Sequence, residues 1–180
     1  MKHILIFGGT FDPIHRAHVQ LAETMRQESG ADEVWFLITP QNPWKANSQL
    51  TADHHRLAMA RLALADHPQL VASDYEFNLD KPTYTYLTLR HLRTDYPQHQ
   101  FSLLVGGDNW DKFSEWAEHE EILRHHRVVV YPRAHDGDAR LPLLNVSSTE
   151  VRQRLRSGQD VSTLIHPRVA QYITQHHLYE

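Results

Sequence analysis

Three observations predict an α/β fold, a Rossmann-like doubly wound parallel sheet with helices on both faces. Short continuous apolar runs, such as Ile4 to Phe7 and Phe101 to Val105, read as strands buried on both sides. Segments with helical apolar spacing lie between them. The runs stop at glycines or prolines, as at Gly8-Gly9, Pro40 and Gly106-Gly107. Strands that alternate with helices imply βαβ crossovers and therefore a parallel sheet covered on both faces.

The elements follow in order. Ile4 to Phe7 is the first strand. A helix from about Ala17 to Glu28 puts Leu21, Ala22 and Met25 on one face, and Gly30 terminates it. Val34 to Ile38 is the second strand. Thr51 to Ala65 is helical, with Leu57, Ala60 and Leu64 on one stripe. Leu70 to Ala72 is a short third strand, and residues 73–84 read as irregular. Thr85 to Asp95 is a helix with Leu89 and Leu92 inward, and Phe101 to Val105 is the next strand. Glu115 to Leu123 reads as a helix and Arg127 to Tyr131 as a strand, before a surface loop over 132–144. Ser147 and Glu150 have capping-box spacing, in which Ser147 caps and Glu150 returns the bond. That helix runs to about Arg156 and stops at Gly158. Pro167 then opens a terminal helix as an N1 proline.

At 180 residues the chain reads as one domain over 1–180, long enough to bury a substantial core. Its formal charge of −4 argues against general nucleic-acid coating, which needs a basic face. The sequence has no cysteine, which excludes disulfides, zinc-thiolate sites and cysteine nucleophiles. No apolar run approaches the ~20 residues that span a bilayer. The run after Lys2 ends too early for a signal-peptide core, so a cytoplasmic location is the expectation. Histidine is the compositional outlier at 15 residues; protonating all of them would take the net charge from −4 to +11. That swing predicts pH-dependent solubility, not a function. The doublets His54-His55, His125-His126 and His176-His177 read as solvated surface.

In open α/β sheets, ligands bind at the carboxyl ends of strands, where the strand order reverses. Four segments qualify: 8–18, 39–45, 106–110 and 145–152. The first reads Gly8-Gly9-Thr10-Phe11-Asp12-Pro13-Ile14-His15-Arg16-Ala17-His18. Two glycines after a strand allow close backbone approach to a phosphate. His15 and His18 are at i and i+3, so they share a face at a helix N-terminus and could donate to phosphoryl oxygens. The structural alternative is a capping histidine beside a packed one. A metal site is not expected, because no carboxylate or third imidazole stands at ligand spacing.

GGTFDPIH followed by His18 resembles the (H/T)xGH signature of the nucleotidylyltransferase superfamily. Ser147-Ser148-Thr149-Glu150-Val151-Arg152 resembles its C-terminal (I/V)SSTxIR motif. Within that superfamily the chain is most similar to the bacterial nicotinate-nucleotide adenylyltransferases. Asn42-Pro43-Trp44-Lys45 resembles their proline-rich turn ending in lysine, and Pro82-Thr83-Tyr84-Thr85 their SYT segment. Gly106 to Trp116 resembles their G-x-D…W segment, and Leu164 to Tyr179 their closing helix. Three positions depart from the pattern: Ala17 replaces the usual glycine, Leu87 a common aspartate, and Trp44 a common histidine.

The resemblance implies transfer of AMP from ATP to nicotinate mononucleotide, with release of pyrophosphate and with Mg²⁺ accompanying ATP. It implies catalytic roles for His15, His18, Lys45 and Arg152, with His18 nearest the reacting phosphorus. ATP would contact Gly8, Gly9, Thr10, Phe11, Gly106, Asp108, Ser148 and Thr149, together with His15, His18 and Arg152. Nicotinate mononucleotide would contact Lys45, Thr83, Tyr84, Thr85, Trp116 and Ala117. Trp116 would be the platform for the pyridine ring. Neutral donors such as Thr85 and a backbone N–H near Ala117 would hold the carboxylate and favour the acid over the amide. Arg152 is expected in the first turn of the helix capped by Ser147. Competing readings keep the chemistry with nicotinamide mononucleotide or phosphopantetheine as acceptor, or make the chain an adenine-nucleotide sensor or a histidine-based metal-binding module.

Overall fold

The computed structural model describes residues 1–43, 49–132 and 137–180. Its strands are β1 (His3–Gly9), β2 (Glu33–Ile38), β3 (Leu70–Ser73), β4 (Gln100–Gly106) and β5 (Val128–Tyr131). Its helices are α1 (Arg16–Ser29), α2 (Asp53–Leu64), α3 (Thr85–Asp95), α4 (Gly107–Asp111), α5 (His119–His125), α6 (Ser148–Arg156) and α7 (Pro167–Gln175). The five strands form one sheet in the order β3-β2-β1-β4-β5, and every pairing is parallel. The order reverses between β1 and β4, which makes their carboxyl ends the switch point.

Side chains on successive strand residues point to opposite faces, and here both faces are covered. Leu5 and Phe7 of β1 join Val34, Phe36 and Ile38 of β2 in one core, packed against α1, α2, α6 and α7. Ile4 and Ile6 join Leu37, Leu103 and Val105 in a second core, against Leu89 and Leu92 of α3 and Ile122 of α5. This two-sided burial is why β1 reads as a continuous apolar run rather than an alternating one.

The expected elements are present with boundaries moved by a residue or two, and several readings are corrected. The helix expected over Glu115–Leu123 is not continuous. A 3₁₀ turn covers Phe113–Glu115, Trp116 is extended at ψ 141°, and α5 begins only at His119 after a left-handed Glu118. Packing of Phe113 and Trp116 against each other, with ring centroids 5.0 Å apart, overrides the local helical spacing. The segment after β4 is the short helix α4 rather than a turn, and a 3₁₀ turn over Tyr75–Asn78 organises part of the stretch expected to be irregular. The capping box of α6 is half formed. Ser147 Oγ accepts from the Glu150 N–H at 3.1 Å, while the Glu150 carboxylate takes the Arg154 guanidinium instead. Arg152 consequently stands just beyond the first turn of α6, not within it. Of the expected surface histidines, His126 is buried and bonded to the Phe101 carbonyl, and His55 is half-buried against the Tyr172 hydroxyl.

The loop after β1 is fastened from two sides. Arg56 of α2 is fully buried and gives Nη1 to the carbonyls of Thr10 at 2.9 Å and Thr39 at 2.7 Å, and Nε to that of Thr51 at 2.8 Å. Its charge is matched by Asp53, one turn earlier. Asp12, also buried, accepts from the Thr51 N–H and from the hydroxyl of Tyr179 near the C-terminus. Arg56→Met keeps the length and apolar stem but strips the carbonyls of Thr10, Thr39 and Thr51 of their guanidinium donor. Breaking such a buried charged network typically costs about 3–5 kcal/mol, and urea denaturation should read a loss in that range. A loss under about 1 kcal/mol would show that those carbonyls find other donors.

Candidate active site

The crevice is made by the register of the central strands. β1 pairs with β4 only from His3↔Gln100 to Ile6↔Leu103. Its pairing with β2 continues to Gly9↔Ile38, and that of β4 with β5 to Gly106↔Tyr131. Phe7 to Gly9 and Leu104 to Gly106 therefore diverge, and two cavities open between them. Both are bordered by Gly8, Gly9 and Tyr131. A side chain at Gly8 would meet nothing within 4 Å, so its backbone faces open space. A Cβ at Gly106 would sit 2.8 Å from the Tyr131 ring, which makes glycine a packing requirement there.

The first cavity, about 350 Å³, lies over the N-termini of α1 and α6 and is bordered by Thr10, His15, His18, Ser147 and Ser148. His15 caps α1 in extended backbone, and His18 is its third helical residue. The two imidazoles stack with centroids 3.6 Å apart and planes 21° from parallel. Phe11, at φ 48°, holds the other side of His18 edge-on at 4.9 Å. His18 Nδ1 accepts from the His15 N–H at 3.1 Å, which fixes the neutral tautomer with its proton on Nε2. Burial pushes the His15 pKa down to about 4. Burial, and secondarily the neighbouring His15, holds His18 well below the usual histidine value. At neutral pH both rings are thus uncharged donors. His15 Nδ1 is buried and, among the described residues, is the one buried side-chain nitrogen or oxygen without a hydrogen-bond partner.

The second cavity, about 210 Å³, lies on the α3 side and is bordered by Thr83, Thr85, Thr88, Asn109, Trp116 and Glu76. Thr85 is the first residue of α3. Trp116 is half-buried against the second core and presents an aromatic wall. Burial and the nearby Asp108 carboxylate raise the Tyr131 pKa, so its phenol stays protonated between the two cavities.

The structure brings together most of the expected site residues. Gly8, Gly9, Thr10, Phe11, His15, His18 and Ser148 border the first cavity, and Thr83, Thr85 and Trp116 the second. Gly106 borders the second and also a separate recess with Asp108. Arg152 is half-buried and gives Nη1 to the Asp12 carbonyl at 2.8 Å and Nη2 to Thr149 Oγ1 at 3.2 Å, so it braces the histidine loop. Ser148 Oγ donates to the Pro13 carbonyl at 2.9 Å. Thr149, Tyr84 and Ala117 are exposed and border neither cavity. Lys45 and Trp44 lie outside the described residues, as do residues 133–136 of the loop expected over 132–144.

Five contributors escaped the sequence reading: Asp12, Arg56, Glu76, Tyr131 and Tyr179. Arg56 carried a signal, because it stands four residues before Ala60 on the apolar stripe of α2 and so had to be buried. Glu76 and Tyr131 carried none, since only the tertiary fold turns them into the crevice.

The family model described as cytidylyltransferase-like matches residues 6–154. A probable nicotinate-nucleotide adenylyltransferase of Bacteroides fragilis is 39% identical over 94% of this chain and 90% of its own length. Another from Cytophaga hutchinsonii is 37% identical over 97% of this chain and 96% of its own. The crystal structure of a putative nicotinate-nucleotide adenylyltransferase from Vibrio parahaemolyticus superposes with a TM-score of 0.78 at 26% identity, covering 99% of this chain and 96% of that one. Paired histidines at a strand-to-helix turn, the capped α6 beside them and this full-length similarity have one reading: the chain belongs to the cytidylyltransferase-like family, and within it to the nicotinate-nucleotide adenylyltransferases.

Proposed function

We propose that the protein transfers AMP from ATP to nicotinate mononucleotide, forming nicotinate adenine dinucleotide and pyrophosphate. The observation that carries the reading is the pair of adjoining cavities. One is lined by neutral imidazole donors and two helix N-termini, the other by an indole and threonine hydroxyls, and they meet at Gly8, Gly9 and Tyr131. A mononucleotide phosphate reaching from the second cavity arrives where the α-phosphate of a nucleotide in the first would lie. Its oxygen attacks the α-phosphorus, the new P–O bond forms, and the bond to the pyrophosphate oxygen breaks.

This chemistry needs positioning and charge stabilisation more than covalent help. The His18 Nε2–H donates to the oxygens that gain charge, and His15 supports it through the stack and the backbone bond. The N-termini of α1 and α6 add their amide dipoles. Ser148, Thr149 and Arg152 act from α6, and Lys45 neutralises phosphate charge. Gly8 to Phe11 and Gly106 let the backbone approach the nucleotide, and Asp108 faces its ribose or a hydrated cation. Thr83, Thr85 and Trp116 receive the pyridine.

Mg²⁺ fits this site as a companion of the triphosphate. Among the described residues no three metal-ligating side chains converge. Mg²⁺ with ATP needs one or two carboxylates and otherwise uses phosphate oxygens and water, and Asp108 can supply the carboxylate. Bound there, it would neutralise charge on the pyrophosphate leaving group. No helix among the described residues is long and apolar enough to cross a membrane. The reading is of a cytoplasmic reaction between dissolved nucleotides.

Pyrophosphate release should be fastest with nicotinate mononucleotide, compared in parallel with nicotinamide mononucleotide and phosphopantetheine, each with ATP and Mg²⁺. Preference for another acceptor would overturn the reading of the second cavity, and no release with any would overturn the reaction. His18→Ala should remain folded by circular dichroism and lose at least about 100-fold in kcat, the scale of removing one transition-state donor. Near-native turnover in that variant would reject the role of His18. Stability should also fall with acid. Both folded-state histidine pKa values lie below the unfolded value, so the unfolded chain binds protons first as pH drops through 6.5 toward 4. His15 alone accounts for about 3 kcal/mol at the acid limit. A His15→Gln, His18→Gln double variant should show a shallower decline of Tm between pH 6.5 and 4.5, and an equal decline would reject the assignment.

A further inference from the structure

The two cavities share one hydrogen-bonding side chain. Phe7, Gly8, Gly9 and Tyr131 border both, and of these only Tyr131 carries a polar side-chain atom. Transfer by imidazoles and helix dipoles alone leaves this phenol idle. Its position follows from the register of the sheet. Tyr131 ends β5 and pairs with Gly106 of β4. Residues paired in this way point to the same face, so a side chain at 106 would compete with the ring for space. A Cβ there would meet the Tyr131 hydroxyl oxygen and the carbon that bears it at 2.8 Å each. With glycine at 106, the phenol end of this edge-strand side chain lies over β4 and reaches the gap between β4 and β1. Phe7 of β1 meets the ring there, with centroids 6.3 Å apart, and meets His18 at 6.2 Å. One buried ring thus supports both donors.

The hydroxyl is available to a ligand. Among the described residues it has no hydrogen-bond partner, and it is not one of the buried unpaired atoms, so it opens on the crevice. Burial and the Asp108 carboxylate keep it protonated, which makes it a donor. A phosphate that joins the two cavities passes beside it. We propose that Tyr131 is a further catalytic residue, whose hydroxyl donates a hydrogen bond to a non-bridging oxygen of the α-phosphate while the acceptor's phosphate oxygen attacks. The forming and breaking P–O bonds are in line through the phosphorus, and charge spreads over its non-bridging oxygens. A fixed donor at one of them lowers the barrier without any proton transfer, so the phenol keeps its proton throughout. The glycine at 106 then has a use beyond packing, because it admits this donor to the junction from the edge of the sheet.

This inference rests on the reaction proposed above, and Tyr131→Phe in the full-length protein tests the two separately. The variant keeps the ring over Gly106 and against Phe7 and removes only the hydroxyl. With nicotinate mononucleotide, ATP and Mg²⁺, its kcat should fall about 10- to 100-fold, the range for one lost hydrogen bond to a charged group. KM for both substrates should stay within about threefold, as for an interaction made in the transition state. Tm should not fall, since the hydroxyl has no protein partner to lose. ATP carrying sulfur at one or the other non-bridging α-oxygen reads the contact directly. The native protein should discriminate between the two diastereomers in kcat/KM, and Tyr131→Phe should lose part of that discrimination. An unchanged kcat, a rise in KM alone, or discrimination equal to that of the native protein overturns the inference while leaving the reaction standing. A Tm lowered by more than about 4 °C would show that the hydroxyl serves the fold, and overturns it too. No pyrophosphate release by the native protein overturns the reaction and this inference with it.

Discussion

The loss of pairing between β1 and β4 beyond Ile6 and Leu103 determines where everything else sits. Parallel strands normally stay in register while both faces are covered, and here each central strand keeps its outer partner to its last residue. The two halves of the sheet thus separate only at their carboxyl ends. Three glycines occupy that gap, and each serves a different need. Gly8 leaves open space, Gly9 lies against the Phe11 ring, and Gly106 admits the ring of Tyr131. The crevice is consequently a property of the sheet, with no inserted loop required to build it.

Such a gap would be of little use if the loop leaving β1 were free. Its carbonyls at Thr10 and Asp12 are taken by Arg56 and Arg152, and its one carboxylate by Thr51 and Tyr179. Donors from α2, from α6 and from the C-terminus converge on Thr10 and Asp12. This arrangement fixes His15 and His18 without directing any of those donors at a ligand. The same bond to the Asp12 carbonyl also fixes the Arg152 guanidinium.

The sheet and its helices were legible because two-sided burial leaves continuous apolar runs and because glycine and proline punctuate them. Ser147 was legible as a cap and Pro167 as an N1 proline for local reasons, as the α6 and α7 boundaries bear out. The 115–123 segment was not, because Trp116 obeys a tertiary demand to face the second cavity and the helix breaks to let it. In the site, the histidine pair was visible from its spacing. Its electrostatics were not: spacing cannot say that both rings are stacked, buried and neutral. Arg56 could have been found on the stripe of α2, whereas Tyr179 and Glu76 reach the site across most of the chain or through a turn with no regular pattern.

The charge balance of the crevice follows from these placements. Neither cavity is bordered by a lysine or arginine among the described residues, and the two imidazoles contribute dipoles rather than charge at neutral pH. On the proposed function, a triphosphate in the first cavity would meet amide dipoles, imidazole N–H groups and the hydroxyls of Ser147 and Ser148. Donors of this kind lose little on desolvation and need no reorganisation as charge builds at the reacting phosphorus. Buried cations would bind the ground-state polyanion as tightly as the transition state, which lowers KM without raising kcat. On the proposed function, holding the histidines neutral, by burying them beside Phe11 and against each other, would keep the strongest stabilisation for the oxygens whose charge changes during the transfer.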